Sequence, residues 1–176
     1  MFDKDYVIVD LETTGLSPVK NEIIEIGAIK VQNNEIVDRL DILVKPENRV
    51  NYFISNLTGI TNEMLEDAMD IKEALKIFSE FASDSTLMAH NANFDMSFLN
   101  TNLDKHFKYT LKNKCLDTLA ISRHYLKGMP NYKLETLANH FNVNYSGAHR
   151  SLKDCEITYE VYKNIMENVE DINNKL

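Results

Sequence analysis

The sequence predicts an α/β fold in which a mixed five-stranded sheet is covered by helices. The first apolar run, residues 7–9, is continuous, as expected of a buried strand. Two further strand-like runs are joined by Asn33-Asn34, which indicates a tight hairpin turn and therefore an antiparallel part of the sheet. In the later part of the chain, helical patterns alternate with short apolar runs, and this alternation favours a mixed sheet with helices packed on it.

The predicted elements follow one another in a simple order. Strands are predicted over residues 5–11, 23–31 and 35–44. Asp70 with Glu73 marks the start of a helix that continues to about residue 82. The remaining elements are a strand at 86–89, a helix at 93–105, a strand at 114–118, and helices at 118–127, 133–141 and 151–168.

Length and composition indicate one compact domain over residues 1–176. The chain has 176 residues and 44% hydrophobic content, which is enough for a sizeable core and too short for two ordinary domains. Its longest apolar run is well short of a membrane span, and residues 1–5 lack the basic start of a signal peptide. We therefore expect a cytoplasmic protein without a membrane partner. Cys115 and Cys155 lack the paired spacing of a zinc site and fall within apolar patterns, so both are predicted to be reduced core residues.

Two acidic residues end the first apolar run. Asp10 and Glu12 lie one position apart, so a strand places both carboxylates on the same face. Gly15 and Pro18 follow and mark a turn, which puts the pair at the mouth of the fold. Two like charges held this close need a cation; the alternative is a pair of acids on an exposed edge strand.

A third acid begins a later helical pattern. Asp95 lies one turn before Leu99, beside an apolar stripe, and a buried carboxylate there needs a cation or a hydrogen-bond partner. The alternative for polar residues near a helix start is N-terminal capping, for which Asn91 or Asn93 is suitably placed.

His149 and Asp154 lie at the start of the last helix. By themselves they would more often be structural, since Ser151 and Asp154 resemble a capping box. Together with the earlier acids they indicate a catalytic cluster. Four carboxylates without cysteine ligands suit hard cations such as Mg²⁺ or Mn²⁺, and a pair of such ions is a known device for phosphodiester cleavage.

In order, type and spacing these five residues resemble the DEDDh-type, or DnaQ-like, 3′→5′ exonucleases. The motifs are residues 10–15, residues 90–95, and His149 with Asp154, so the resemblance covers nearly the whole chain. Residues 12–16, 57–61 and 90–92 are most similar to the exonuclease modules of bacterial replicative DNA polymerases. One departure is Thr58, where many members carry His, and it leaves open the base contact expected there.

The resemblance implies a ribonuclease-H-like fold, two Mg²⁺ or Mn²⁺ ions, and release of 5′-mononucleotides from DNA 3′ ends during proofreading or repair. The implied partners are DNA 3′ ends, with single strands preferred, and DNA polymerase subunits. For the metals, the resemblance implies that Asp10 bridges both ions, that Glu12 and Asp154 complete the first site, and that Asp95 supports the second. It implies that His149 takes the proton of the attacking water. For the substrate, it implies that the Thr13 backbone and Glu12 recognise the 3′-hydroxyl, that Leu16 packs on the last base, and that Asn91 lies near the phosphate, with Asp117 as a weaker supporting candidate.

The net charge of −8 conceals an uneven distribution. Residues 105–133 contain six Lys and one Arg against the single acid Asp117, a local charge of +6. This span, with Lys105, Lys108, Lys112 and Lys114 at its start, either contacts a phosphate backbone or is a solvated surface.

Two other functions remain open at this stage. The same five residues act on RNA in relatives, so an exoribonuclease is the alternative enzyme, and Thr13-Thr14 favours DNA only mildly. The other alternative is a polymerase-associated binding module without activity, which the intact five-residue set disfavours.

Overall fold

The computed structural model describes residues 3–173. Its strands are β1 (Tyr6–Thr13), β2 (Ile23–Gln32), β3 (Glu35–Leu43), β4 (Leu87–Ala89) and β5 (Cys115–Asp117). Its helices are α1 (Tyr52–Thr58), α2 (Asn62–Leu65), α3 (Ile71–Ala82), α4 (Asn93–Phe107), α5 (Thr118–Tyr125), α6 (Leu134–His140) and α7 (Ser151–Asn173).

The five strands form one mixed sheet in the order β3-β2-β1-β4-β5, which confirms the predicted fold class. β1 pairs antiparallel with β2, and β2 pairs antiparallel with β3. β4 is parallel to β1, and β5 is parallel to β4. The C-terminal ends of β1, β4 and β5 therefore meet on one side of the sheet, which we call the carboxyl edge.

β1 is buried on both faces, and the alternation of its side chains determines which helices each residue contacts. Val7 and Val9 pack into a cluster with residues of α3 and α4. Tyr6 and Ile8 pack on the opposite face against residues of α7. Because side chains alternate along a strand, Asp10 and Glu12 share the α7 face with Tyr6 and Ile8.

The local signals for the hairpin and for α3 are confirmed. Asn33 and Asn34 have φ values of 51° and 64°, the left-handed conformation that a two-residue hairpin turn requires. The side chain of Asp70 accepts a hydrogen bond of 2.8 Å from the backbone N–H of Lys72 and so caps the start of α3.

The short helices α1 and α2 were not predicted. Asn51 and Thr61 cap them, each accepting a backbone N–H inside the helix that it precedes. Buried residues from this segment, including Ile54 and Ile60, pack over Ile24 of β2 in a small separate core. The segment therefore covers the start of β2.

Two interpretations of individual residues were wrong. Cys115 is exposed because it begins β5, the last strand of the sheet, whereas Cys155 is buried as predicted. Neither Asn91 nor Asn93 caps α4, since Ala92 occupies the cap position and provides no side-chain hydrogen bond.

None of the helices within residues 3–173 is both long and apolar enough to cross a membrane. The predictions about the signal peptide and the single domain also involve residues 1–2 and 174–176, which lie outside the described range.

Candidate active site at the carboxyl edge

Three carboxylates meet between the end of β1 and the start of α7. One oxygen each from Asp10, Glu12 and Asp154 lies within 4.8 Å of the others. β1 supplies two of these side chains because they are two residues apart on one face, and the first turn of α7 supplies the third. The structure thus brings together the first and third sequence motifs, whose carboxylates are more than 140 residues apart in the chain.

Asp95 completes the acidic cluster from the first turn of α4. Its side chain is only 2% exposed, and its Oδ1 accepts a hydrogen bond of 3.2 Å from the backbone N–H of Leu11. This bond is the partner that a buried carboxylate at this position needs. After burial itself, the charge of Asp95 is the strongest influence that raises the pKa of Asp10, so Asp95 and Asp10 belong to one electrostatic group.

The cluster resists ionisation when no cation is bound. Burial and the neighbouring acids, with Asp95 and Asp154 foremost, raise the pKa of the Asp10 carboxyl well above its ordinary value. Burial, followed by the charges of Asp154 and Glu25, raises the pKa of Glu12 to about 8. Burial likewise raises the pKa of Asp95 to about 8. A bound cation would remove this penalty, because it favours the charged form of every carboxylate near it.

His149 lies beside the cluster on an exposed turn. Its φ is 66°, and its backbone N–H donates a 3.0 Å hydrogen bond to Oδ2 of Asp154. Burial raises the pKa of Asp154, and the nearby backbone and side chain of His149 oppose that shift. The predicted capping box between Ser151 and Asp154 is therefore wrong. Asp154 accepts the backbone N–H of His149, and Ser151 Oγ has no hydrogen-bond partner among the described residues.

The donor set fits a hard divalent cation. Within the described part of the chain, Oδ1 of Asp154 is buried and has no hydrogen-bond partner. The same carboxylate uses its other oxygen to hold His149, so Oδ1 alone remains for a ligand in the group with Asp10 and Glu12. Carboxylate oxygens without thiolate or several imidazoles are the ligands that Mg²⁺ and Mn²⁺ prefer.

The residues expected to hold the substrate surround this cluster. The pairing of β1 with β2 shifts register between Glu12 and Thr13, which interrupts the ladder next to the carboxylates. Leu16 follows on the adjoining loop and is 86% exposed, so it offers an apolar surface to solvent. Asn91 follows β4 at the carboxyl edge, is exposed, and has a φ of 67°.

Asp117 supports this edge and lies outside the group of three carboxylates that meet. Its Oδ1 accepts 3.0 Å hydrogen bonds from the backbone N–H groups of Asn91 and Leu119. It therefore caps α5 and fixes the turn after β4 at the same time. This assigns a positioning role to the residue that the sequence marked as the weaker candidate.

Sequence reasoning missed two residues next to the cluster, Glu25 and Arg150. Glu25 lies opposite Glu12 in the β1–β2 register and is fully buried. Its carboxylate pairs with the guanidinium of Arg150, the residue after His149. The available signal was an acid inside the apolar run of residues 23–31, because a charge in a buried strand needs a partner.

Thr58 has both functions of its hydroxyl occupied. The hydroxyl donates to the backbone oxygen of Ile54 at 3.0 Å and accepts from the N–H of Ile60 at 3.1 Å. The residue is buried at the end of α1, so its side chain shapes the turn into α2. This arrangement does not support a base contact from Thr58.

The basic span 105–133 does not form one surface around the cluster. Lys114 immediately precedes β5, at the end of the sheet opposite the carboxyl edge, and pairs with Asp3 at 2.7 Å. Lys112 is two residues earlier in the same approach to β5. Lys105 lies ten residues after Asp95 in α4, about 15 Å along the helix.

The end of the same span, near residue 132, lies close to the carboxyl edge. The backbone oxygen of Tyr132 accepts a 3.0 Å hydrogen bond from Nε2 of His90, which directly follows β4. Nδ1 of His90 lies 3.0 Å from the hydroxyl of Thr118, and burial lowers the pKa of this histidine. Lys133 is the next residue after Tyr132, so its backbone lies close to the segment that contains His90 and Asn91.

Known proteins similar in sequence are long bacterial DNA polymerases. The chain is 44% identical over 168 residues to the DNA polymerase III PolC-type of Caldanaerobacter subterraneus subsp. tengcongensis, a match that covers 96% of the chain and 12% of that protein. It is 40% identical over 157 residues to the PolC-type polymerase of Bacillus subtilis, covering 89% of the chain and 11% of that protein. The chain thus corresponds in length to about an eighth of these relatives.

Solved structures show the same fold. Exonuclease X in complex with 5′ overhanging duplex DNA has a TM-score of 0.76 and 26% identity, with 93% of this chain and 92% of that chain covered. Escherichia coli Exonuclease I in complex with a dT13 oligonucleotide has a TM-score of 0.82 at 18% identity, with 98% and 43% covered. The sequence profile of the exonuclease family named RNase_T matches residues 7–162. With nearly its whole length accounted for by that profile and by relatives of about 40% identity, this chain belongs to the exonuclease family.

Proposed function

We propose that this chain is a metal-dependent 3′→5′ exonuclease that releases 5′-mononucleotides from DNA. The observation that carries the proposal is the convergence of Asp10, Glu12 and Asp154 at the carboxyl edge, beside an exposed His149, with the charge of Asp95 acting on Asp10. Family membership supports the exonuclease chemistry. The PolC-type relatives and the DNA complex of Exonuclease X support DNA as the substrate.

Two divalent cations, Mg²⁺ or Mn²⁺, would be held by Asp10, Glu12, Asp95 and Asp154. When bound, such ions lower the pKa of a water and neutralise charge that develops on the phosphate and on the leaving oxygen. Asp10 would take part in holding both ions, since the charges of the other three carboxylates all act on it. Asp95 already gives one oxygen to Leu11, which suits a supporting role.

His149 is the proposed general base. Its imidazole would accept a proton from the attacking water as the water oxygen forms a bond to phosphorus. The bond between phosphorus and the 3′-oxygen of the preceding nucleotide breaks, and that oxygen gains a proton and becomes the new 3′-hydroxyl. Asp154 orients this step through the backbone of His149, since it accepts that residue's N–H.

The terminal nucleotide would be held by the residues around the cluster. The Thr13 backbone, next to the interrupted ladder, and the Glu12 carboxylate would bind the 3′-hydroxyl. Leu16 would pack on the last base, where burying its exposed side chain is favourable. Asn91 would lie near the phosphate, with Asp117 fixing its backbone. These contacts involve only the end of a DNA strand, so the site should favour single-stranded or frayed DNA.

We further propose that the chain acts in proofreading or repair together with a DNA polymerase. The support is the match to 11–12% of the length of PolC-type polymerases by nearly the whole of this chain. Such a nuclease needs a polymerase to deliver the mispaired 3′ end.

The decisive assay uses a 5′-labelled DNA single strand, its RNA twin and a mismatched duplex, each with Mg²⁺, Mn²⁺ or chelator. We expect a ladder of products shortened from the 3′ end, faster on DNA than on RNA, and none in chelator. Asp95→Asn should abolish the ladder, whereas Asp104→Asn, an exposed acid on the same helix, should not.

Two results would change the assignment. Cleavage of a circular single strand, or full activity in chelator, would refute the exonuclease mechanism. Faster digestion of the RNA twin would assign the chain to exoribonucleases.

A further inference from the structure

The buried carboxylate of Glu25 has all its hydrogen bonds directed to the segment that follows His149. Its Oε1 accepts bonds from Nε and Nη2 of Arg150, at 2.8 Å and 2.5 Å. Its Oε2 accepts a 2.7 Å bond from the backbone N–H of Ser151. The Glu25 side chain is 0% exposed, whereas that of Arg150 is 39% exposed, so the buried partner of the pair is the one that belongs to the sheet.

The segment is fixed again on the other side of His149. Asp154 holds the N–H of His149, whose left-handed φ of 66° is an uncommon conformation for a residue with a side chain. A few residues therefore carry two anchors, one to β2 and one to the first turn of α7. These two anchors fix the backbone of His149, although its side chain is exposed.

The first turn of α7 rests directly on β2 next to Glu25. A Cβ at Gly27 would lie 2.4 Å from the backbone nitrogen of Leu152, so only glycine permits this approach. The anchor at Glu25 and the contact at Gly27 are two residues apart on the same face of β2. β2 thus serves as the platform for the segment that carries His149 and Asp154.

We propose that the Glu25–Arg150 pair is a positioning device for the His149 segment, which holds the general base in line with the carboxylate cluster. This inference rests on the proposed function of His149. The fork of the Arg150 guanidinium gives it a geometric role that a lysine cannot reproduce, because an ammonium is a point charge on a flexible stem.

A second ion pair between the sheet and α7 provides a matched control. Arg39 of β3 and Glu156 of α7 lie 3.4 Å apart, and their side chains are 50% and 35% exposed. This pair joins the same two layers. Glu156 also lies 3.6 Å from Nζ of Lys153, and within the described part of the chain neither Arg39 nor Glu156 forms a side-chain hydrogen bond or ion pair with His149, Arg150 or Ser151. If Arg150 only attached α7 to the sheet, removing either pair would affect the protein in the same way.

The test compares Arg150→Lys with Arg39→Gln in exonuclease assays well below the melting temperature. We expect Arg150→Lys to lower kcat by about 10- to 100-fold, the effect of misplacing a reacting group, with KM for DNA little changed. Arg39→Gln should leave kcat unchanged. In a His149→Ala background, Arg150→Lys should lower kcat less than about twofold, because its effect acts through the missing imidazole.

Amide hydrogen exchange of the whole chain gives a second measurement that needs no activity. Arg150→Lys should speed exchange of the His149 amide while the amides of β2 remain protected. Should Arg150→Lys not fold, Glu25→Gln serves instead, because it leaves no unpaired buried charge and should show the same pattern.

The results separate this inference from the proposed function. An unchanged kcat, full additivity with His149→Ala, or an unchanged exchange rate of the His149 amide would overturn the positioning role. An inactive wild-type chain would refute the proposed function alone, since exchange of the His149 amide still decides whether Arg150 fixes the segment.

Discussion

At the scale of single residues, the four carboxylates oppose one another until a cation binds. Asp10 shows this most strongly, because burial and four acidic neighbours all raise its pKa. The site therefore stores an unfavourable interaction in the metal-free protein. Its release should be measurable as stability, independently of turnover.

Asp10→Asn should abolish exonuclease activity and leave the metal-free fold at least as stable as wild type. The pKa of the Asp10 carboxyl lies above its ordinary value in the folded state, so the folded state binds the extra proton and stability falls as pH rises. The gain from Asp10→Asn should therefore grow as pH rises above the ordinary pKa of an aspartate and reach about 1 kcal/mol, the size of a screened repulsion between nearby charges. Urea unfolding in chelator measures it.

A comparison of the two proteins at each pH isolates the effect of Asp10. His90, whose pKa burial lowers, titrates in both proteins and cancels in the difference. A variant that melts far below wild type at pH 8 would show that Asp10 is structural, and the metal site would lose its central ligand.

His149→Ala should lower kcat by roughly 10²- to 10⁴-fold, the usual loss when a general base is removed. Mn²⁺ affinity, measured by calorimetry, should change little because the carboxylates remain. A parallel loss of metal affinity and activity would instead make His149 a metal ligand.

At the scale of elements, the contact between β2 and α7 decides whether the third motif reaches the first. Gly27→Ala should lower the free energy of unfolding by about 1–3 kcal/mol, the usual cost of forcing extra atoms into a packed contact. In an unobstructed strand the same change would stabilise, so the sign of the effect tests the contact. Urea unfolding gives the sign. An equal or higher stability would show that the first turn of α7 moves aside easily.

Sequence patterns predicted the elements whose signals are local. The two left-handed Asn residues of the hairpin and the Asp70 cap are such signals, and both are confirmed. α1 and α2 were missed because helices of seven and four residues show too little periodicity, although their caps Asn51 and Thr61 were visible.

The rest of the site depends on tertiary contacts that a single sequence does not show. The five motif residues were found because their types and spacings form a known set. Glu25 was missed because its partner Arg150 is 125 residues away, and nothing local distinguishes the two. Cys115 was placed wrongly because its burial depends on which strand ends the sheet, and an apolar run does not contain that information.

At the scale of the whole molecule, the net charge is −8, so we expect DNA binding to depend on a few lysines at particular positions. Lys112→Gln with Lys114→Gln should leave DNA affinity unchanged, because both residues lie on the approach to β5, opposite the carboxyl edge. Lys133→Gln should weaken binding to all sequences alike and flatten the log-log salt dependence by about 0.7, the value for one single-strand phosphate contact.

Fluorescence anisotropy with a labelled single strand across a salt series distinguishes these variants. The Lys112/Lys114 double variant is the control for Lys133→Gln. If the double variant flattens the slope and Lys133→Gln does not, the strand passes along the opposite end of the sheet. The basic span would then be a binding surface of a different kind.

The long separation between the first and last ligands also affects how the protein is made. Asp10 and Asp154 meet only when α7 lies against β1 and β2, so the ribosome must add 144 residues after the first ligand before the second exists. At a synthesis rate of roughly 5–20 residues per second, this takes about 7–30 seconds. For most of that interval the residues of β1, β2 and β3 have been made but Asp154 has not. If Asp154 belongs to the active site, as we propose, a nascent chain will not degrade nucleic acid near the translation machinery until α7 has been made.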